Sequence, residues 1–422
     1  MFKMEKPMFN QLRTYFPQGC SLLIGLFFVL VLQIKVSYTL IPLLIALIGF
    51  GFVYSALRSK QYQLDPSDKW IIWTVVFYFA LFVLSVIIHD GRGRELDSPS
   101  RALLLLSVLA VCYKVALKPY WIIYGIVIGA LLAGITASIR FFVLNQQSDL
   151  FPGYMYIQAG DIVMSLSLFS FAAAFYFQAR KQTLWMLLCL IASVAAIFAS
   201  LINQARGAWV AAPVALSVIL FLNRKLLSKW VVIFLLLVAT VGGLFAGEVI
   251  QKRWQQAKNE ITHYVEHNNG STSVGARFDM WKSALLGIQE KPLFGWGLEG
   301  VKEMRRQHLE QKLISEYAAS FTHSHNQYLH DASVRGLLGL GALLAIFFVP
   351  LGLFWRNLKQ SAVGSLAYLW GTLGITHVLA TMTYCLTQAF FAHNSGTMFY
   401  FFVVILFLGL QKNAQKRALV GQ

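Results

Sequence analysis

The chain has 422 residues, of which 57% are hydrophobic and only 13% charged. Soluble domains carry about 25% charged residues, so this balance excludes an ordinary water-soluble globule and points to a membrane. The formal net charge of +17 comes from basic residues scattered in short clusters between apolar runs. It is therefore read as membrane topology and not as a patch for nucleic acid.

Runs of about 17–25 apolar residues fit the hydrocarbon core of a bilayer. Twelve are predicted, at 18–34, 36–57, 70–89, 100–117, 120–143, 157–178, 183–203, 207–222, 230–247, 334–354, 362–384 and 389–410. A basic N-terminal stretch leads straight into the first run with no small-residue cleavage site, so an uncleaved span is expected. The first two runs are broken only around Lys35, Ser37 and Pro42. Every even-numbered exit is basic: Arg58, Lys60 and Lys69; Lys118; Arg180 and Lys181; Arg224, Lys225 and Lys229; Arg356 and Lys359; and Lys412, Lys416 and Arg417. By the positive-inside rule these exits and both termini are expected in the cytoplasm of a bacterial cell, with the protein in the inner membrane. The expected fold is all-α and polytopic. Its organisation is spans one to nine over 1–247, a helical periplasmic loop over 248–333, and spans ten to twelve with a tail over 334–422. The four cysteines lie in or beside apolar runs without CxxC spacing and read as small buried hydrophobes.

Within the large loop, residues 251–267 are good helix formers and 268–275 read as a turn and helix start. Phe278, Trp281, Leu285 and Ile288 recur at helical spacing and predict a buried stripe. The segment 291–300 (KPLFGWGLEG) is a Pro/Gly break, and 301–318 a charged amphipathic helix. The loop is expected to lie on the membrane surface and lid a cavity between spans.

The residues that could carry chemistry share the outer side. The segment 322–341 (THSHNQYLHDASVRGLLGLG) puts His323, His325 and His330 where the loop enters span ten. A histidine within reach of a substrate hydroxyl can act as a general base. The same spacing also suits a metal site, although Asp331 is the only carboxylate nearby, or ordinary interfacial histidines. Arg206 ends span seven and Arg277 starts a loop helix. Either could merely snorkel or face solvent. Two arginines facing one cavity would bind a diphosphate, because guanidinium forks match phosphate oxygens. Asp161 stands about one turn inside span six, where an ionisable group is a functional candidate.

These motifs, taken in order, are an Arg-Gly after a mid-chain span, GARFDMW with PLFGWGLEG after it, and HSHNQYLH running into RGLLGLG. Together they resemble the O-antigen ligase and polymerase superfamily, and within it the O-antigen ligases of lipopolysaccharide assembly. The resemblance covers the whole plan of twelve spans with one large periplasmic loop. It implies a metal-independent, cofactor-free glycosyl transfer. The implied donor is O-antigen on undecaprenyl diphosphate, and the implied acceptor is a sugar hydroxyl of lipid A-core. Arg206 and Arg277 match the arginines that engage the donor diphosphate. His325 matches the presumed base, and His323 the histidine before it. The family often has an acidic residue shortly after the His-Asn pair, whereas Gln327 and His330 stand here. Alternative readings are an O-antigen polymerase, a protein O-oligosaccharyltransferase, or, in a different class, a transporter of lipid-linked glycan. Transporters tend to show internal repeats and midplane polar groups, and neither is evident in the sequence.

Overall fold

The computed structural model describes residues 6–60, 65–147, 149–267 and 269–420. They form sixteen α-helices and, among the described residues, no strand. In chain order these are α1 (Lys6–Leu30), α2 (Ser37–Arg58), α3 (Pro66–Ile88), α4 (Asp97–Leu105), α5 (Val108–Lys114), α6 (Pro119–Ser138), α7 (Tyr156–Ala179) and α8 (Thr183–Ile202). They continue with α9 (Arg206–Leu222), α10 (Lys229–His267), α11 (Ser273–Glu290), α12 (Gly300–Glu310), α13 (Glu316–Ala319), α14 (Gln327–Lys359), α15 (Leu366–Tyr384) and α16 (Asn394–Val420). Among the described residues, eight segments are long and apolar enough to cross a membrane. Tyr15–Leu30 and Gly207–Leu222 are shorter apolar helices. The protein is an all-α polytopic membrane protein.

Two helices are apolar around their whole circumference, and burial follows. Helix α7 is buried at every position from Ile157 to Phe177, and α16 from Ser395 to Lys412. A helix with no polar face belongs in the middle of a bundle. The four cysteines are all buried and unpaired.

The connections gather at two ends. At one end Lys412 pairs with Asp68, and Tyr113 donates to the same carboxylate at 2.9 Å. Asp65 lies 3.5 Å from Lys412. Arg180 donates to the Gly364 carbonyl at 2.6 Å, and Ser228 to Gln178 at 2.9 Å. This end collects the exits after the even-numbered predicted spans. At the other end Tyr154 donates to the Val31 carbonyl, His89 bonds the Phe294 carbonyl at 3.1 Å, and Asn203 donates to Tyr156 at 2.5 Å. The backbone N–H of Gln327 donates to the Cys385 carbonyl at 2.8 Å. The odd-numbered exits and the large loop meet there.

The loop forms a helical cap whose details differ from the periodicity reading. Helix α10 runs unbroken from the bundle into the cap. The buried face of α11 is Ala276, Met280, Ser283, Ala284 and Gly287, while Leu285 is 52% exposed. Small residues, not the large apolar ones, let this helix pack closely on its neighbours. The amphipathic segment splits into α12 and α13. Lys312 takes a left-handed φ of 57°, and the Ser315 hydroxyl caps α13 by accepting from Ala318 at 3.2 Å.

The cap is tied to the bundle at a break inside α14. Gly336 has φ 68° and ψ −167°, a conformation confined to glycine. The break frees the carbonyls of Ser333 and Val334. The backbone N–H groups of Trp296 and Gly297 occupy them at 2.9 Å each, and Leu337 N–H turns to the Pro292 carbonyl at 2.7 Å. The PLFGWG segment thus takes over the hydrogen bonds that the helix gives up. A Cβ at Gly336 would meet the Leu293 carbonyl oxygen at 2.1 Å. Gly336→Ala is expected to cost at least about 1–3 kcal/mol from backbone strain alone. The loss should appear as a lowered melting temperature in detergent and as protease nicking within 291–300. A variant as stable and as resistant as the parent would contradict this account of the break.

Candidate active site

Two segments bring imidazoles together at the capped end. His323 and His325 lie on the loop before α14, with ring centroids 4.5 Å apart. His393, just before α16, stands 6.2 Å from His323, and Phe321 lies edge-on to His325 at 5.4 Å. Helix α14 starts at Gln327. The Asn326 side chain caps it by accepting from Leu329 N–H at 3.1 Å, as asparagine does at this position. His325 is the residue before that cap and takes a left-handed φ of 46°.

The loop is held from the cap side. Ser324 is wholly buried. Its carbonyl accepts from the Trp281 indole at 3.0 Å, and its hydroxyl accepts from Arg305 at 2.9 Å. Arg305 also donates to the Phe321 carbonyl. Gln327 is pinned on the bundle side, where it donates to Asp331 at 2.7 Å and accepts from Phe391 N–H at 2.8 Å. Asp331 is committed to Arg335, whose guanidinium lies 3.5 Å from the centre of the Phe82 ring. Among the described residues no carboxylate is paired with His325.

Burial is the main electrostatic influence on the cluster. It pushes the His323 imidazole down to about 4, with His393 and Arg305 adding to the effect. Burial, His323, Arg277 and Arg305, together with His393, push His325 down to about 3. Both rings are neutral at pH 7. Their Nδ1 atoms and the Nε2 of His393 are buried without a hydrogen-bond partner.

Arg277, one turn into α11, lines an outer cavity of about 370 Å³ with Tyr156, Asn203, Gln204, Gly207 and Thr387. Its charge also acts on His325. Arg206 begins α9 between Gln204 and Gly207 of this cavity. Its side chain lies outside the described residues. Beneath Gly207 lies Asp161, wholly buried; among the described residues neither of its carboxylate oxygens has a hydrogen-bond partner. A larger cavity of about 550 Å³, lined by Arg356, Lys412 and Lys416, sits at the opposite end, away from the histidines.

The structure brings Arg277, His323 and His325 to one place and adds His393 and Arg305. His393 was hidden because the apolar run AFFA extended predicted span twelve back to 389. That stretch is a short 3₁₀ turn, and α16 starts at Asn394. Arg305 had a readable signal: with Val301, Met304 and His308 it occupies positions i, i+3, i+4 and i+7, the buried face of α12. His330 is buried in α14, apart from the loop histidines. Among the described residues, no three His, Cys, Asp or Glu side chains are placed to hold a metal ion. A Ser-His-Glu arrangement does occur in the cap. Ser283 bonds His308 at 2.9 Å, and His308 lies 3.7 Å from Glu290. Ser283 is wholly buried, so no substrate can reach it, and the arrangement ties α11 to α12.

The described residues thus form a helical membrane bundle with arginines and histidines clustered under a cap at one end. Residues 191–344 match the family model described as O-antigen ligase. A Haemophilus influenzae protein described as uncharacterized is 36% identical over 392 residues, 92% of this chain and 97% of its own length. An Escherichia coli O-antigen ligase is 26% identical over 194 residues, 44% of this chain and 45% of that protein. The chain belongs to the O-antigen ligase superfamily of membrane glycosyltransferase-like enzymes.

The depressed histidine pKa values carry a stability consequence. The unfolded chain protonates these rings near 6.5, the folded protein only near 4 and 3. The unfolded state therefore binds more protons below pH 6.5, and stability falls as pH drops from 6.5 towards 4. The melting temperature of the purified protein is expected to decline over that window. The decline should be shallower in a His323→Gln, His325→Gln double variant. Parallel curves for the two proteins would show that the rings do not have these pKa values.

Proposed function

We propose that this chain transfers O-antigen polysaccharide from undecaprenyl diphosphate to a sugar hydroxyl of lipid A-core, at the periplasmic face of the inner membrane. The observation that carries the reading is the charge balance at the capped end. Burial acts most strongly on His325, and after it come His323, Arg277, Arg305 and His393, of which the two arginines carry charge at pH 7. Such a site is completed by an anionic substrate, and a lipid diphosphate supplies one. The chemistry then divides among named groups. His325, assisted by His323, takes the proton of the acceptor hydroxyl as its oxygen attacks the anomeric carbon. The bond from that carbon to the diphosphate breaks, and its electron pair leaves on the diphosphate. Arg206 and Arg277 offset the charge that develops there. Neither a metal nor a cofactor has a part in this scheme. A base with a pKa near 3 is weak. Negative charge arriving beside it raises that value towards the working pH.

A deletion strain tests the reading. Capped core lacking long chains, with polymer retained on the carrier lipid, is the expected phenotype. Core bearing single-repeat chains would instead indicate an O-antigen polymerase. In a transfer assay with purified protein, Arg206→Ala and Arg277→Ala should each abolish product. Lysine should restore little, because an ammonium lacks the bidentate fork. His325→Ala should lose about 10²–10⁴ in rate, the usual worth of a general base, and chelator should change nothing. Full activity of the alanine variants, or chelator-sensitive activity, would overturn the scheme.

The proposed topology has twelve spans, the bundle over 1–247 and 334–422, a periplasmic loop over 248–333, and both termini in the cytoplasm. The basic loops gathered at one end support this orientation. A reporter that is active only in the cytoplasm, fused at Asn269, should be silent. Activity at that position would invert the orientation.

A further inference from the structure

Arg305 is the most deeply buried cation of the cap, at 2% exposure. Its neighbour Arg306 faces solvent and pairs with Glu303 and Glu310. Arg305 has no such pairing: among the described residues no carboxylate comes within ion-pair distance of it. Two of its N–H groups go to the Phe321 carbonyl and the Ser324 hydroxyl, and its Nε has no partner. Burying a guanidinium without a counter-ion is costly, and an apolar side chain of similar volume would usually fill such a place more stably. Burial lowers Arg305 only to about 10, so the charge persists at neutral pH. The hydrogen bonds fall on Phe321 and Ser324, on either side of Thr322 and His323, immediately before the left-handed turn at His325.

We propose that Arg305 is a positioning residue for His325: it grips the loop ahead of the turn and faces the imidazole cluster with a fixed charge that a bound anion offsets. The inference rests on the reading of His325 as the base. The charged and titratable groups facing His325 are His323 on its own loop, Arg277 from α11, Arg305 from α12 and His393 ahead of α16. Arg277 borders the outer cavity and is available to substrate, whereas Arg305 is sealed behind the loop. It therefore acts on the imidazoles in every state of the site and makes no contact with the donor.

The test uses the full-length protein in detergent and two substitutions, Arg305→Gln and Arg305→Lys. The first readout needs no activity. Diethyl pyrocarbonate acylates neutral imidazole, and mass spectrometry follows the labelling of His323 and His325 against pH. With glutamine the midpoint for labelling is expected to rise by about one pH unit, the size of one nearby charge at an effective dielectric of about 20. With lysine it should stay at the wild-type value. The second readout is transfer kinetics. Both variants should lose at least about tenfold in kcat with the KM for donor unchanged, because the grip is altered while the diphosphate contacts remain. An unshifted midpoint with glutamine would overturn the electrostatic half of the proposal, and wild-type kcat with lysine the positioning half. If glutamine prevents folding, the lysine variant alone decides, through its kcat. A shifted midpoint in Arg305→Gln combined with a fully active His325→Ala would retire His325 as the base while leaving Arg305's hold on the loop intact.

Discussion

The hydrogen-bond exchange at Gly336 is what the outer half of the molecule depends on. A membrane helix cannot interrupt its ladder without satisfying the freed groups, since no water is at hand to do so. Here the two carbonyls released by the break take the N–H groups of Trp296 and Gly297, and Leu337 N–H finds Pro292. The cap is therefore stitched into the helix that carries the histidine loop at its other end. The indole of Trp296 extends the joint by donating to the Gly287 carbonyl of α11 at 2.9 Å. From α11, Trp281 reaches Ser324 and Arg277 reaches the cavity. One unwound residue thus fixes the relative placement of the arginine helix and the histidine loop.

That placement concentrates positive charge and neutral imidazole where carboxylates are already engaged. Asp331 is held by Arg335 and Gln327, and Asp279 by Tyr264 and the Ser315 backbone at 2.8 and 2.7 Å. Both of these acids are spent on structure, and among the described residues no carboxylate pairs with His325. Buried polar atoms usually find partners. The unpartnered nitrogens of His323, His325 and His393 mark the places where a substrate's oxygens would complete the network.

The bundle was legible in the sequence because two independent constraints coincide. Apolar length marks the spans, and the basic exits mark every second loop; the structure gathers those exits at one end, from Asp65 and Lys412 to Arg180 and Gly364. The cap was legible only in part. Its Pro/Gly break reads directly, but what the break bonds to is a tertiary matter, settled by a glycine 40 residues downstream in α14. The stripe on α11 was misread because close packing selected Ala, Ser and Gly where periodicity pointed to Phe278 and Leu285. Of the candidate site, motif order pointed to Arg206, Arg277, His323 and His325, and the last two stand side by side in the structure. Hydropathy concealed His393 inside an apolar run, and Arg305 was lost among charged neighbours although it lies on the buried face of α12.

A weak base is a coherent choice for such a site on the proposed reading. With the donor absent, His325 is neutral but too acidic as its conjugate to draw a proton from a sugar hydroxyl, so a bound acceptor stays unactivated. Burial is the larger cause of that weakness; the diphosphate raises the basicity of the same ring by offsetting the part due to Arg277 and Arg305. Donor binding and base activation are then one electrostatic event, with no conformational change required to couple them. The loop can accordingly be rigid. Its hold by Arg305, Trp281 and Gln327, three residues from different helices, keeps the ring in place while only its proton affinity changes.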